Sequence, residues 1–211
     1  MQGARVETTM NPSNDTKKML PSAAEPAPLG LIGLAVAALV LASTDLKLAS
    51  ASAKSLMIPW TLFLGATAQL IAGLMEFRRN NVFGATTFTT YSLLWYSVSA
   101  TLLITIFTKA PVDVTHYAYG LLGFLVFSII LTVASLMTNK TFVLILLCID
   151  GALAGLVANL LAQTPGEVVG GFLLLVSVFS FYGAAAILVN SMAGRTVLPL
   201  GAPVWKPRTG Q

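Results

Sequence analysis

The chain is predicted to be an all-α integral membrane protein with six transmembrane helices. Three observations carry that prediction. Of its 211 residues, 56% are hydrophobic and only 9% are charged, with a mean hydropathy of +0.82, whereas soluble domains carry roughly 25% charged residues. Six apolar segments follow one another along the chain, and five of them approach the roughly 20 residues that a helix needs to cross the hydrocarbon core. None of them alternates polar and apolar residues, which argues against a transmembrane β-barrel. In lipid, such segments satisfy their backbone hydrogen bonds only as helices.

Residues 1–27 are polar, rich in Pro, Ser, Asn and Ala, and are expected to form a flexible tail. They do not read as a signal peptide, because the first apolar run starts at Leu29 and no small-residue cleavage site follows it. The first segment, about Leu29–Ala42, is introduced by Glu25-Pro26-Ala27-Pro28-Leu29-Gly30-Leu31. The two prolines fix an extended approach and suit a helix N-terminus. Gly30 and Gly33 allow a neighbouring helix or a solute close to the backbone. This segment is short unless it continues through Ser43 and Thr44 toward Leu48.

The second segment, about Leu56–Phe77, carries Gly65, Ala68, Ala72 and Gly73 on one broad face. Gln69 and Glu76 are two helical turns apart and share a face. A polar stretch separates it from the third segment, about Phe88–Phe107: Glu76, Arg78, Arg79, Asn80, Asn81, then Phe83-Gly84, then Thr86, Thr87, Thr89 and Thr90 leading into Tyr91 and Trp95. The fourth segment is about Tyr117–Met137. The fifth, about Phe142–Ala162, contains Asp150 and a Gly151/Gly155 pair at GxxxG spacing; the sixth, about Val168–Met192, contains Gly170, Gly171 and Gly183. Small residues let helices approach closely in lipid, either within a protomer or between protomers. The domain organisation expected is a tail over 1–27, a six-helix membrane domain over 28–193 and a C-terminal tail over 194–211. No internal repeat is visible, so inverted-repeat symmetry has no support.

Six spans place both termini on one side. With the N-terminus inside, nine of the 12 Lys and Arg fall inside (Arg5, Lys17, Lys18, Arg78, Arg79, Lys140, Arg195, Lys206, Arg208) and three outside (Lys47, Lys54, Lys109). Cytoplasmic termini in a plasma or inner membrane are therefore expected. The small basic excess is explained by topology and does not suggest nucleic acid. The single cysteine, Cys148, cannot form an intrachain disulfide and reads as a small apolar residue. One His and one Cys leave no structural metal site. No cofactor is expected. No nucleophile–base pair or phosphate-cradling loop suggests an enzyme.

The chemistry-bearing candidates are few. Gln69 lies deep in the second segment, and a buried amide needs partners; it is either a helix–helix hydrogen bond or a pore-lining group. Glu76 sits near the membrane edge beside Arg78 and Arg79, where it either anchors the helix end or carries a proton. Asp150 is the only acid well inside an apolar segment, so it is a functional candidate by default. It is expected to be neutral or off the path of an anion. Asn81, Thr86, Thr87, Thr90, Tyr91 and Trp95 form a polar and aromatic series without a cation. Neutral donors in series bind a monocarboxylate weakly enough to release it. The threonines are expected at the start of the third helix, where backbone N–H groups would face an anion. The bland alternative is that they only cap and pack.

Taken together, these residues resemble the acetate uptake transporter family, the succinate–acetate permeases. The opening motif of that family, Asn-Pro-Ala-Pro-Leu-Gly-Leu, is matched from Pro26 to Leu31, with Glu25 in place of the asparagine. Its central motif is matched at Ala72, Gly73, Glu76, Phe77, Asn81, Phe83, Gly84, Thr86 or Thr87, Phe88, Tyr91 and Trp95. Its ending is similar to Gly194-Arg195-Thr196-Val197-Leu198-Pro199-Leu200-Gly201. Asn80 for glycine, Val82 for threonine, Ser92 for glycine, and Asp150 depart from the pattern.

The resemblance implies a six-helix protomer assembled as a homohexamer in the bilayer, each protomer with its own pore for acetate and related small carboxylates, succinate included. It implies a hydrophobic constriction formed by Leu34, Tyr91 and Ile149. Leu34 stands where related permeases can have phenylalanine, and the smaller side chain suggests a wider gate. Two competing readings stay open at this point: a pore for a neutral or cationic solute such as ammonia, and a non-transporting membrane receptor or assembly factor.

Overall fold

The computed structural model describes residues 24–108 and 113–206. Residues 1–23, which hold most of the expected N-terminal tail, and Lys109, Arg208 and the last residues of the C-terminal tail lie outside the described residues. The described chain is all-helical, with six helices long and apolar enough to cross a membrane: α1 (Ala27–Asp45), α2 (Lys54–Arg78), α3 (Val82–Phe107), α4 (Val114–Ser135), α5 (Lys140–Ala162) and α6 (Gly166–Ala193). No strand occurs among the described residues. The protein is a multi-pass membrane protein of six spans.

Local sequence sets the helix boundaries. Asn81 accepts a hydrogen bond from the Gly84 N–H at 3.1 Å and Asn139 one from the Phe142 N–H at 3.0 Å, so each caps its helix through the third helical residue. Asp113 caps α4 through the Thr115 N–H at 2.8 Å, and that backbone bond, with help from His116, holds its carboxyl below the usual range. Asn80, before the Asn81 cap, has φ +56°. Asparagine tolerates this left-handed conformation better than most residues, which accounts for its standing where the family motif has glycine.

One boundary follows the longer of two expected lengths, and one differs from expectation. α1 does not stop at Ala42 but continues to Asp45, because Ser43 and Thr44 remain helical, with Ser43 Oγ bonded back to the Val40 carbonyl at 2.7 Å. α3 starts at Val82 rather than near Phe88. The Asn81 side chain takes up the Gly84 N–H and starts the helix at Val82, so Thr86, Thr87, Thr89 and Thr90 stand inside the helix and do not form its N-terminus.

The helix α1 packs most extensively on α6 and also against α2. Its small residues make this possible: Gly30, Gly33, Ala35, Ala37 and Ala38 are all buried. A Cβ at Gly30 would lie 2.6 Å from the Phe88 ring, and one at Gly33 would collide with the Leu64 carbonyl. Gly151 and Gly155 admit Phe172 and Val169 of α6, so the GxxxG pair packs helices within one protomer. The helices α4 and α5 pack closely, whereas α3 and α4 touch sparsely.

The middle of α2, Thr61–Ala68, is π-helical. It follows Pro59, which supplies no backbone N–H, and Thr67 Oγ1 donates to the Leu62 carbonyl at 2.9 Å. Within the stretch, Gly65 meets Ala37 and the Trp95 ring.

Both described chain ends lie at one end of the bundle. Arg79 pairs with Glu25 at 2.8 Å. The segment after α6 folds back over the helix ends instead of leaving them. Asn190 Oδ1 accepts from the Val197 and Leu198 N–H groups at 2.7 and 2.9 Å. The Tyr182 hydroxyl donates to the Pro199 carbonyl at 2.6 Å, the Thr141 N–H donates to the Leu200 carbonyl at 3.1 Å, and the Trp205 N–H donates to the Leu136 carbonyl at 2.9 Å. At the opposite end Lys47 pairs with Glu167, tying the α1–α2 connection to the start of α6.

Candidate functional site

Three cavities follow one another through the bundle. At the end that carries both chain ends, a vestibule of about 410 Å³ is lined by Glu25, Glu76, Asn81, Asn139 and Asn190 together with apolar neighbours. Next comes a narrow pocket of about 10 Å³ lined by Gln69, Thr87, Phe88, Phe142 and the residues around them. Beyond it an apolar cavity of about 60 Å³ lies among α1, α3, α4, α5 and α6, bordered by Ala38, Trp95, Leu121, Leu153 and Val176. Phe88 and Phe142 line both the vestibule and the narrow pocket. Leu34, Tyr91 and Ile149 line both the narrow pocket and the apolar cavity.

The sizes decide what passes. A water molecule needs roughly 10–15 Å³ measured in this way. The narrow pocket is at or below that limit, so the path is closed there, while the apolar cavity has room for a small solute. Leu34, Tyr91 and Ile149 are 6%, 2% and 7% exposed and meet at the junction. One stripe of α3 runs along the narrow pocket and the apolar cavity: Thr87, Tyr91 and Trp95 succeed one another at four-residue spacing and are all buried.

Several polar groups on this path lack a partner. The Gln69 amide nitrogen, the Thr87 hydroxyl and the Trp95 indole N–H are buried with no hydrogen-bond partner. Gln69 and Thr87 line the narrow pocket and Trp95 the apolar cavity. Gln69 therefore does not use its amide nitrogen for a helix–helix bond. These groups can donate to a carboxylate but carry no charge.

The structure does not bring all candidates together. Thr90 lines a separate groove between α3 and α4, with Ser97, His116 and Tyr117. Thr86, half-buried, lies one turn before it on the same side of α3. The threonine run thus divides between two faces, because a helix cannot aim adjacent residues at one lumen.

Glu76 is only 1% exposed. It accepts from Asn81 Nδ2 at 2.9 Å, while Arg79 turns to Glu25. The expected anchoring by the neighbouring arginines is replaced by an asparagine clasp at the vestibule wall. Gly84 stands beside it, and a Cβ there would lie 2.7 Å from Asn81 Nδ2 and 2.8 Å from the Glu76 carboxyl carbon.

Asp150 is half-buried and turned toward α4. It accepts from Thr132 Oγ1 at 2.6 Å and from Ser128 Oγ, and Ser128 Oγ in turn lies 2.7 Å from the Tyr91 hydroxyl. Sequence reasoning missed Ser128 and Thr132. Their spacing of four on α4 was visible, but nothing in it pointed to the acid on α5.

The chain is 29% identical over 183 residues to the succinate-acetate/proton symporter SatP of Escherichia coli, covering 84% of this chain and 95% of that one. It is 30% identical over 190 residues to the glyoxylate pathway regulator of Yarrowia lipolytica, covering 86% of this chain and 70% of that protein. The solved structure of the bacterial acetate channel SatP superposes with a TM-score of 0.79 at 26% identity, covering 85% of this chain and all of that one. The profile of the GPR1/FUN34/yaaH family matches residues 6–201, and the chain belongs to that family.

Proposed function

We propose that this protein is a membrane channel or transporter for acetate and related small carboxylates, which pass through a pore within each protomer of a hexamer. The observation that carries this reading is the junction of two cavities at Leu34, Tyr91 and Ile149, with the unpartnered donors of Gln69 and Thr87 on one side of it and that of Trp95 on the other. A hydrophobic constriction of this kind gates by excluding water, and uncharged donors hold an anion weakly enough to release it. The relatives named for succinate and acetate transport support the substrate class. In this reading the vestibule and both termini face the cytoplasm, in line with the nine-to-three distribution of Lys and Arg.

The reading as a pore for a neutral or cationic solute has less support, because Asp150 turns to Ser128 and Thr132 on α4 and does not line the three cavities. The test is flux in proteoliposomes across a carboxylate series, with Tyr91→Ala and Leu34→Phe beside the wild type and ammonium as a competitor. Competition of labelled acetate by propionate or succinate, but not by ammonium, is expected. No carboxylate flux, or full competition by ammonium, refutes the reading.

A further inference from the structure

The helices α3 and α4 touch sparsely, yet a continuous hydrogen-bonded chain crosses between them. Tyr91 of α3 meets Ser128 of α4 at 2.7 Å, Ser128 donates to Asp150 of α5, and Thr132 donates to the other carboxylate oxygen at 2.6 Å. Ser128 is fully buried and Tyr91 is 2% exposed. The Tyr91 ring lines both cavities at the junction.

Proton counting fixes the direction of this chain. A hydroxyl has one proton and two lone pairs, and an ionised carboxylate only accepts. Ser128 gives its single proton to Asp150, so it can only accept from Tyr91. The phenolic proton of Tyr91 is thereby held on Ser128 and is not available to a solute at the constriction.

We propose that Asp150 and Ser128 are positioning residues for the constriction: protonation of Asp150 reverses the chain and frees the Tyr91 hydroxyl proton for a carboxylate in the path. This rests on the transport reading above. The ionised Asp150 carboxylate takes up one proton from solvent hydronium and so becomes a donor to Ser128 Oγ. Ser128 rotates its own proton onto the Tyr91 oxygen, which now accepts. No O–H bond of Ser128 or Tyr91 breaks; only the acid gains a proton.

Few other groups compete for control of this acid. α5 packs against α4 and α6. The titratable side chains of α4 are His116, Tyr117 and Tyr119, all in its first turns, and those of α6 are Glu167 in its first turn and Tyr182 beside Pro199. Gly151, next to Asp150, sits at the level of Phe172, which separates Glu167 and Tyr182 from Asp150 by about 7 Å and 15 Å of helix rise. On α5 itself the nearest titratable group is Cys148, and from α3 it is Tyr91.

The test is acetate current in planar bilayers as pH is lowered stepwise through the range in which the protein stays folded, at constant acetate-anion concentration. The wild type should gain about tenfold as pH falls, the size of one hydrogen bond to a charged group. Ser128→Ala, which leaves the acid in place, and Asp150→Asn should both lose the pH dependence, and the double variant should match either single one. Infrared difference spectra of purified protein with ring-labelled tyrosine, assigned by Tyr91→Phe, should show a pH-dependent phenol C–O band that disappears in Ser128→Ala and Asp150→Asn.

A wild-type current that is flat with pH, or a Ser128→Ala variant that keeps the wild-type profile, overturns the proposal. A wild type that carries no acetate overturns the transport reading instead. In that case the infrared band decides the relay alone, and its persistence in Ser128→Ala refutes it.

Discussion

Gln69 of α2 and Thr87 of α3 line the same narrow pocket, and each holds a buried polar atom without a hydrogen-bond partner. Leaving such groups unpaired costs about 1–3 kcal/mol each, a cost that is offset only if something transient pairs with them. Gln69→Leu and Thr87→Val should therefore leave thermal stability unchanged or raise it, while each lowers acetate flux about tenfold, equivalent to roughly 1.4 kcal/mol. A variant that loses stability and flux together would show that these side chains only pack.

The constriction predicts a size dependence. Leu34→Phe should reduce flux of propionate and succinate more than that of acetate, whereas Ile149→Ala should narrow the difference. Competition of labelled acetate uptake by each acid measures both. Equal effects on all three acids would place the selective step elsewhere.

Close packing against glycine predicts a contrast between two sites. A Cβ at Gly33 collides with the Leu64 backbone, while one at Gly171 meets nothing within 4 Å. Gly33→Ala should destabilise by about 1–3 kcal/mol, as overpacking does, and Gly171→Ala should be neutral. Thermal unfolding in detergent compares them directly.

The folded-back C-terminal segment predicts a third stability effect. Asn190 makes three hydrogen bonds to Val197 and Leu198, so Asn190→Ala should cost about 2 kcal/mol at roughly 0.5–1.5 kcal/mol per bond. Protease susceptibility of the segment around Arg195 should rise with it. Unchanged cleavage would mean that the bonds to Tyr182 and Thr141 suffice.

Much of this architecture was legible in residue order alone. Hydropathy marks every span, because lipid leaves the backbone no alternative to the helix. The apposition of Leu34, Tyr91 and Ile149 was reachable only through family resemblance, since three residues on three helices share no sequence spacing. What misled was the threonine run. Its composition suggested a lining, but helical geometry sends Thr87 inward and Thr86 and Thr90 to another face. Asp150 was visible as an anomaly, and its partners were not, because hydrogen bonds between α4 and α5 leave no mark within either segment.

The π-helical stretch of α2 bears on how the chain tolerates change in length. A π-helical stretch fits additional residues into nearly the same rise as α-helix. Most single-residue deletions within a span swing everything beyond them around the axis by about 100°. A deletion between Thr61 and Ala68 could instead be absorbed by rewinding to ordinary helix, keeping Gln69 and Glu76 on their present side. Gly65 would then lose its place against Ala37 and Trp95. This stretch is the natural point at which α2 could have gained or shed a residue while the path stayed in register.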